Sequence, residues 1–154
     1  MSSQIPLIFR EATAADLPGI SRVRTSVREN LLAVEQLRER GITNETIAAS
    51  FLADSKGWVA ERNGEIFGFS IADRATQSIF ALFVLPDWER QGLGSRLLEL
   101  ALRWLRENGA TVAWLTTGPE TKAAAFYERC GWVAAGRGEH GDTRYEIDLS
   151  ETCA

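Results

Sequence analysis

The chain has 154 residues, of which 45% are hydrophobic and 25% charged, the composition of one soluble globular domain. Seventeen Lys and Arg stand against 21 Asp and Glu, a formal net charge of −4, which argues against a nucleic-acid partner that would need a dense cationic surface. Disordered, collagen-like and mucin-like classes are excluded by the same composition. Cys130 and Cys153 are the only cysteines and His140 the only histidine, so neither a disulfide framework nor a Cys/His zinc site can form. No metal is expected, and a reducing compartment fits two unpaired thiols. The first ten residues lack a basic start followed by an apolar run, so no signal peptide is expected. The apolar stretch 79–85 is far too short to span a bilayer. The expectation is a cytoplasmic protein without a membrane partner.

Residues 8–12 read as a first strand. Thr13 and Asp16 then resemble a capping box, and Leu17, Ile20, Val23, Arg24 and Val27 follow at helical spacing, predicting a helix over 14–31. Pro18 lies in its early turns, where a missing N–H costs least. A second helix is expected over 44–53, capped by Thr43, with Ile47, Phe51 and Leu52 facing inward. The stretch 34–41 between them is ambiguous. The period then changes to that of strands over 58–62 and 65–71, joined by Asn63-Gly64, a strong hairpin signal because both turn positions need positive φ.

Residues 79–85 are a third β-run, stopped by Pro86. Leu93, Leu97, Leu100, Ala101, Trp104 and Leu105 form one stripe of a helix over 93–108, and Gly109 ends it. A buried strand over 111–116, a short helix over 122–129 and a closing hairpin of 132–135 with 143–149 complete the chain. The order is β-α-α-β-β-β-α-β-α-β-β. Strand, helix and strand through 79–116 force one parallel pair, whereas the hairpins are antiparallel. The fold class is therefore α/β, a single mixed sheet of about seven strands with flanking helices.

The chemistry is expected between the third β-run and the long helix, in Pro86-Asp87-Trp88-Glu89-Arg90-Gln91-Gly92-Leu93-Gly94-Ser95-Arg96. The first N–H groups of a helix have no partner within it and, with the macrodipole, make an anion site. Gly92 and Gly94 carry no Cβ, so a phosphate can approach the backbone, and Arg90 and Arg96 add cationic reach. A P-loop is absent, since no Gly-Lys-Ser/Thr follows, and a dinucleotide fingerprint would need glycine where Leu97 stands.

Leu82-Phe83-Val84-Leu85-Pro86 followed by Arg90-Gln91-Gly92-Leu93-Gly94 resembles motif A of the GCN5-related N-acetyltransferases, the GNAT superfamily. Further along, Ala123-Ala124-Ala125-Phe126-Tyr127-Glu128-Arg129-Cys130-Gly131-Trp132 is similar to that family's motif B. The expected element order matches the family's acyl-CoA N-acyltransferase fold from Ile8 to Leu149, so residues 1–154 are expected to form one N-acetyltransferase domain. The resemblance implies acetyl-CoA as cosubstrate and direct transfer of its acetyl group to a primary amine, on a small molecule or a peptide, in a ternary complex. It implies a coenzyme diphosphate on the main chain of Arg90, Gln91, Gly92, Leu93, Gly94 and Ser95. It also implies a pantetheine arm paired with Leu82, Phe83 and Val84, in a slot where the strands 79–85 and 111–116 splay apart. Glu120 stands where the family often holds its cofactor with Asn, and Glu89 where it often has Gln or Arg.

Tyr127 matches the family's general acid, which returns a proton to the departing thiolate. The alternative for Tyr127 is a residue packed between helix and sheet. Glu61, Asp73, Glu139 and His140 are possible bases for the amine, and none is preferred. Trp104 and Trp114 read as core, Cys130 as buried packing, and Trp88 either as a shield for the cofactor or as cover for a helix end. In the family the acceptor pocket is built by the first helices and the last hairpin. The chain would act as a monomer or homodimer. Two rivals remain: a non-catalytic acyl-CoA-binding regulatory or sensory domain of the same fold, and a module that binds phosphate ligands or proteins at the same helix end.

Overall fold

A computed structural model describes residues 7–26, 43–85, 88, 92–117, 122–137 and 142–149. Its elements run β1 (Ile8–Glu11), a 3-10 turn (Ala14–Asp16), α1 (Leu17–Ser26), α2 (Asn44–Phe51), β2 (Ser55–Arg62), β3 (Glu65–Asp73) and β4 (Ser78–Val84). They continue with α3 (Leu93–Glu107), β5 (Val112–Thr117), α4 (Lys122–Arg129), β6 (Val133–Arg137) and β7 (Thr143–Asp148). The expected extension of the first helix to residue 31 and the stretch 34–41 lie outside the described residues.

The strands form one seven-stranded sheet in the order β1-β2-β3-β4-β5-β7-β6. Every neighbouring pair is antiparallel except β4 and β5, which are parallel because α3 carries the chain between them. Asn63 and Gly64 both have positive φ, 56° and 82°, as a two-residue hairpin turn requires, and fix the register of β2 on β3. A bulge in β4 leaves Phe80 unopposed between Ala81 and Ile79, which face Ile71 and Ala72. Such an extra residue bends its strand and sharpens its twist.

Alternation along the strands divides the core. Trp58, Ala60 and Ala72 join α3 and α4 in one cluster, and Val59, Phe69 and Ile71 join α1 and α2 in the other. On α3 the buried stripe is Leu93, Leu97, Leu98, Ala101 and Leu105. Trp104 and Leu100 are only half-buried, with Trp104 edge-on to Trp58 at 5.9 Å. The buried Ser70 hydroxyl donates to the Leu97 carbonyl at 3.0 Å and anchors α3 to β3. Leu52, expected to face inward, is 92% exposed, because α2 ends at Phe51 and the helical period stops there. Thr43 caps α2 as its position implies, accepting the Thr46 N–H at 3.1 Å.

Asp16 caps the turn before α1 by accepting the Thr13 N–H at 2.8 Å, and it also takes a two-pronged bond from Arg10, 2.9 Å on each oxygen. The Arg10 bonds, with help from Thr13, hold the Asp16 carboxyl below its ordinary range despite partial burial. A depressed folded pKa contributes stability above the unfolded value near 3.9, lost as pH falls through the folded value. Asp16→Asn should therefore lower stability at pH 7 by about 0.5–1 kcal/mol, since Arg10 is part-exposed. In urea titrations the gap to wild type should shrink as pH falls below about 4; a gap constant down to pH 2 would contradict this account.

Candidate active site

β4 and β5 share a single register pair, Ser78 with Trp114. Trp114 fastens that end: its backbone N–H donates to Gln77 at 3.1 Å and its indole Nε1–H to the Thr76 carbonyl at 2.8 Å. Beyond it no further register pair joins the two strands. The main chain of β4 shows what faces the gap. Leu85 N–H donates to Phe67 of β3 at 2.8 Å, and the Phe83 carbonyl also lies on the β3 side, close to Gly68. Since alternate residues face alternate neighbours, Leu82 and Val84 turn their N–H and C=O groups into the gap. Phe83 spends its main chain on β3.

The strand's end lies beside the start of α3. Gly92 is the N-cap, with φ +80° and no side-chain cap, and the first turn carries no acidic residue. Arg96 N–H is the first to close onto the helix, at Gly92 O. The N–H groups of Leu93, Gly94 and Ser95 have no acceptor among the described residues and point along the axis. A Cβ at Gly94 would sit 3.6 Å from the Phe126 ring on α4 and 3.9 Å from Val84 on β4. Strand, helix start and α4 thus converge on one residue, and those are ordinary contact distances. Neither the protein's own packing nor its backbone requires glycine at 94.

Tyr127 projects from α4 into the cluster that also holds Leu82, Val84 and Leu93. It is 5% exposed and ringed by Phe126 at 5.3 Å, Trp132 at 5.5 Å and Tyr145 at 6.4 Å. Among the described residues its hydroxyl has no hydrogen-bond partner. Burial, with a smaller contribution from Cys130, pushes its pKa above the ordinary tyrosine value. It keeps its proton throughout the neutral range. Tyr127 is thus packed between helix and sheet, the alternative its sequence position left open. Tyr145, unnoticed in the sequence, donates to the Glu128 carboxylate at 2.8 Å, and that bond raises its own pKa.

Other expectations resolve individually. Arg90, Gln91, Glu120, Glu89, Glu139 and His140 lie outside the described residues. Arg96 turns along α3 into an ion pair with Glu99. Trp88 stacks on Phe67 at 4.3 Å under the Arg62 guanidinium, so it covers the β2–β3 hairpin. Glu61 is engaged by Arg10 at 3.4 Å and by the Gly64 N–H at 2.8 Å. Asp73 caps the following turn through Ala75 and Thr76 at 2.8 and 3.2 Å. Trp114 is half-buried rather than core, and Cys130, also half-buried, packs against the core of α3 and α4. No group of three or more His, Cys, Asp or Glu that could hold a metal occurs among the described residues. No described helix is long and apolar enough to cross a membrane.

Comparison with known proteins agrees with this geometry. Residues 22–132 match the Acetyltransferase (GNAT) family. An uncharacterized N-acetyltransferase of Archaeoglobus fulgidus is 33% identical over 130 residues, 77% of this chain and 88% of that one. The mycothiol acetyltransferase of Streptomyces coelicolor is 37% identical over 81 residues, 49% of this chain but 26% of its own length. The ribosomal protein bS18-alanine N-acetyltransferase of Escherichia coli is 38% identical over 79 residues, 48% of this chain and 52% of its own. The chain thus spans a quarter to a half of two of these relatives and most of the third. The PaiA N-acetyltransferase of Thermoplasma acidophilum, solved in complex with coenzyme A, shares the fold at a TM-score of 0.79. That likeness covers 94% of this chain and 99% of that one at 14% identity. The chain belongs to the acetyltransferase (GNAT) family of enzymes, and its sheet is that family's mixed seven-stranded sheet.

The two glycines at the start of α3 should respond differently to substitution. Gly92→Ala forces a side chain into the left-handed region and should cost about 1–2 kcal/mol. Gly94→Ala fits its surroundings and adds helix propensity, so it should melt at or slightly above the wild-type temperature. Thermal melts of both variants test this; a large loss at Gly94 would show that glycine there serves packing.

Proposed function

We propose that the protein transfers the acetyl group of acetyl-CoA to a primary amine, by direct attack in a ternary complex. The observation that carries this reading is the meeting, at Gly94, of β4 main chain at Leu82 and Val84 and a first turn of α3 that both lack partners among the described residues. Donors at Leu93, Gly94 and Ser95 suit a diphosphate, and Arg90, Gln91 and Glu120 are proposed as further contacts by their place in the sequence motifs. Leu82 and Val84 suit the amide-bearing pantetheine arm, which would add to β4 as a short strand. An N–H from the same segment, aimed at the thioester carbonyl, stabilises the negative charge that develops there. Phe83 contributes its ring to the opposite face and not its main chain.

In the reaction the amine's lone pair forms the new C–N bond, the C–S bond breaks, and the nitrogen's proton leaves for solvent or a base. Acetyl-CoA supplies the activated acyl group. Tyr127 supplies the proton that the departing thiolate takes up. An apolar surrounding raises the pKa of a thiol as it does that of a phenol, so both partners shift the same way. With Glu61 and Asp73 engaged in hydrogen bonds of the fold, the amine's proton is best passed through water. The acceptor is a small molecule or a peptide. The half-buried free thiol of Cys130 suits a cytoplasmic setting.

Acetyl-CoA incubated with a library of amines should release free thiol. Tyr127→Phe should lower kcat by about 10²-fold while leaving CoA affinity and the melting temperature nearly unchanged. Gly94→Ala should do the reverse, weakening CoA about tenfold or more in a folded protein. Coenzyme binding without thiol release from any amine would favour a non-catalytic acyl-CoA sensor, and undiminished turnover by Tyr127→Phe would remove its acid role.

A further inference from the structure

Arg24 lies on the apolar stripe of α1 and is 6% exposed. Its Nε is buried without a hydrogen-bond partner, and no carboxylate among the described residues pairs with it. Its guanidinium carbon sits 5.7 Å from the centre of the Phe69 ring, 5.6 Å from Phe80 and 5.4 Å from Phe83. Burial pulls its pKa down to about 10, so it stays charged at neutral pH. Ring faces attract a cation but accept none of the in-plane N–H bonds of a guanidinium. A residue kept only for packing there would be better replaced by Met or Leu.

The position of these rings gives the charge a use. Phe80 is the extra residue of the bulge that bends β4, and it is 46% exposed. Phe83 lies between Leu82 and Val84, whose main chain faces the gap. Arg24 therefore stands beside the open segment of β4, on the α1 side of the sheet. The first turn of α3 belongs to the other side. A ligand anchored at α3 and running along β4 leaves its reacting end approachable from the side of Arg24.

We infer that Arg24 binds the carboxylate of the acceptor, so that the acceptor is a small molecule of the amino-acid class, carrying both an amine and a carboxylate. This rests on the acetyl-transfer reading above. A guanidinium offers paired donors in the geometry of a carboxylate. A monoanion also balances the single positive charge of Arg24. A phosphate dianion would leave surplus negative charge against the negative faces of three phenyl rings.

The test compares α-, β- and γ-amino acids with their carboxamides in the thiol-release assay, using the full chain. Wild type should favour the acids by about 10²-fold in kcat/KM, because the amides leave the buried guanidinium unpaired. Arg24→Met should abolish that preference while retaining the amide rate, and Arg24→Lys should keep part of it. Without acetyl-CoA, N-acetylated amino acids should raise the melting temperature of wild type and not of Arg24→Met. Equal turnover of acid and amide by wild type, or an equal loss of both in Arg24→Met, would overturn the assignment. If no amine is acetylated yet the carboxylate-dependent melting shift persists, the acetyl-transfer reading falls and the Arg24 site stands. Absence of both effects would remove both.

Discussion

Two parallel strands that pair at one end and nowhere else create everything at the candidate site. A parallel pair normally spends its inward-facing N–H and C=O groups on its neighbour, and a buried group left without a partner is costly. Here Trp114 fastens the near end through its backbone and its indole, and the bulge at Phe80 bends β4 beyond that point. The main-chain groups of Leu82 and Val84 face away from β3 and meet no strand partner among the described residues. The sheet is thus continuous in order but joined at this point by a single register pair.

The rest of the site answers to the same gap. The α3 helix starts where β4 ends, which brings the uncapped N–H groups of Leu93, Gly94 and Ser95 to the mouth of that gap. At Gly94 the Phe126 ring of α4 and the Val84 side chain of β4 approach from two sides at ordinary contact distances. On the far side α4 presents Tyr127, 5% exposed, among aromatic rings. That environment keeps the phenol protonated and lowers the local dielectric, which strengthens the main-chain donors. Packing and chemistry draw on the same side chains.

Legibility in the sequence tracked how local each cause was. The Asn63-Gly64 turn, the Thr43 cap and the Leu93, Leu97, Ala101 and Leu105 stripe depend on residues a few positions apart, and each appears where the pattern puts it. The stripe through Leu17, Ile20, Val23 and Arg24 likewise marked α1, on which Arg24 is buried with the apolar residues. It could not foretell that no described carboxylate would meet it, since that depends on what β3 and β4 bring to the same place. The bulge at Phe80 was invisible for another reason: residues 79–85 are apolar on both faces, so alternation gives no mark where an extra residue enters. Leu52 failed at a boundary, one residue past the end of α2. The roles of Glu61 and Asp73 were misleading in the other direction, because a carboxylate in sequence does not reveal that backbone N–H groups have already claimed it.

The most direct measurement is of the donors themselves. Backbone amide resonances of the 15N-labelled protein can be followed by NMR as a non-transferable acetyl-CoA analogue is titrated in. The account predicts that the amides of Leu82 and Val84 and those of Leu93, Gly94 and Ser95 shift downfield and saturate together, with that of Leu85 on the β3 side nearly still. Saturable binding that leaves those five amides unmoved would contradict it.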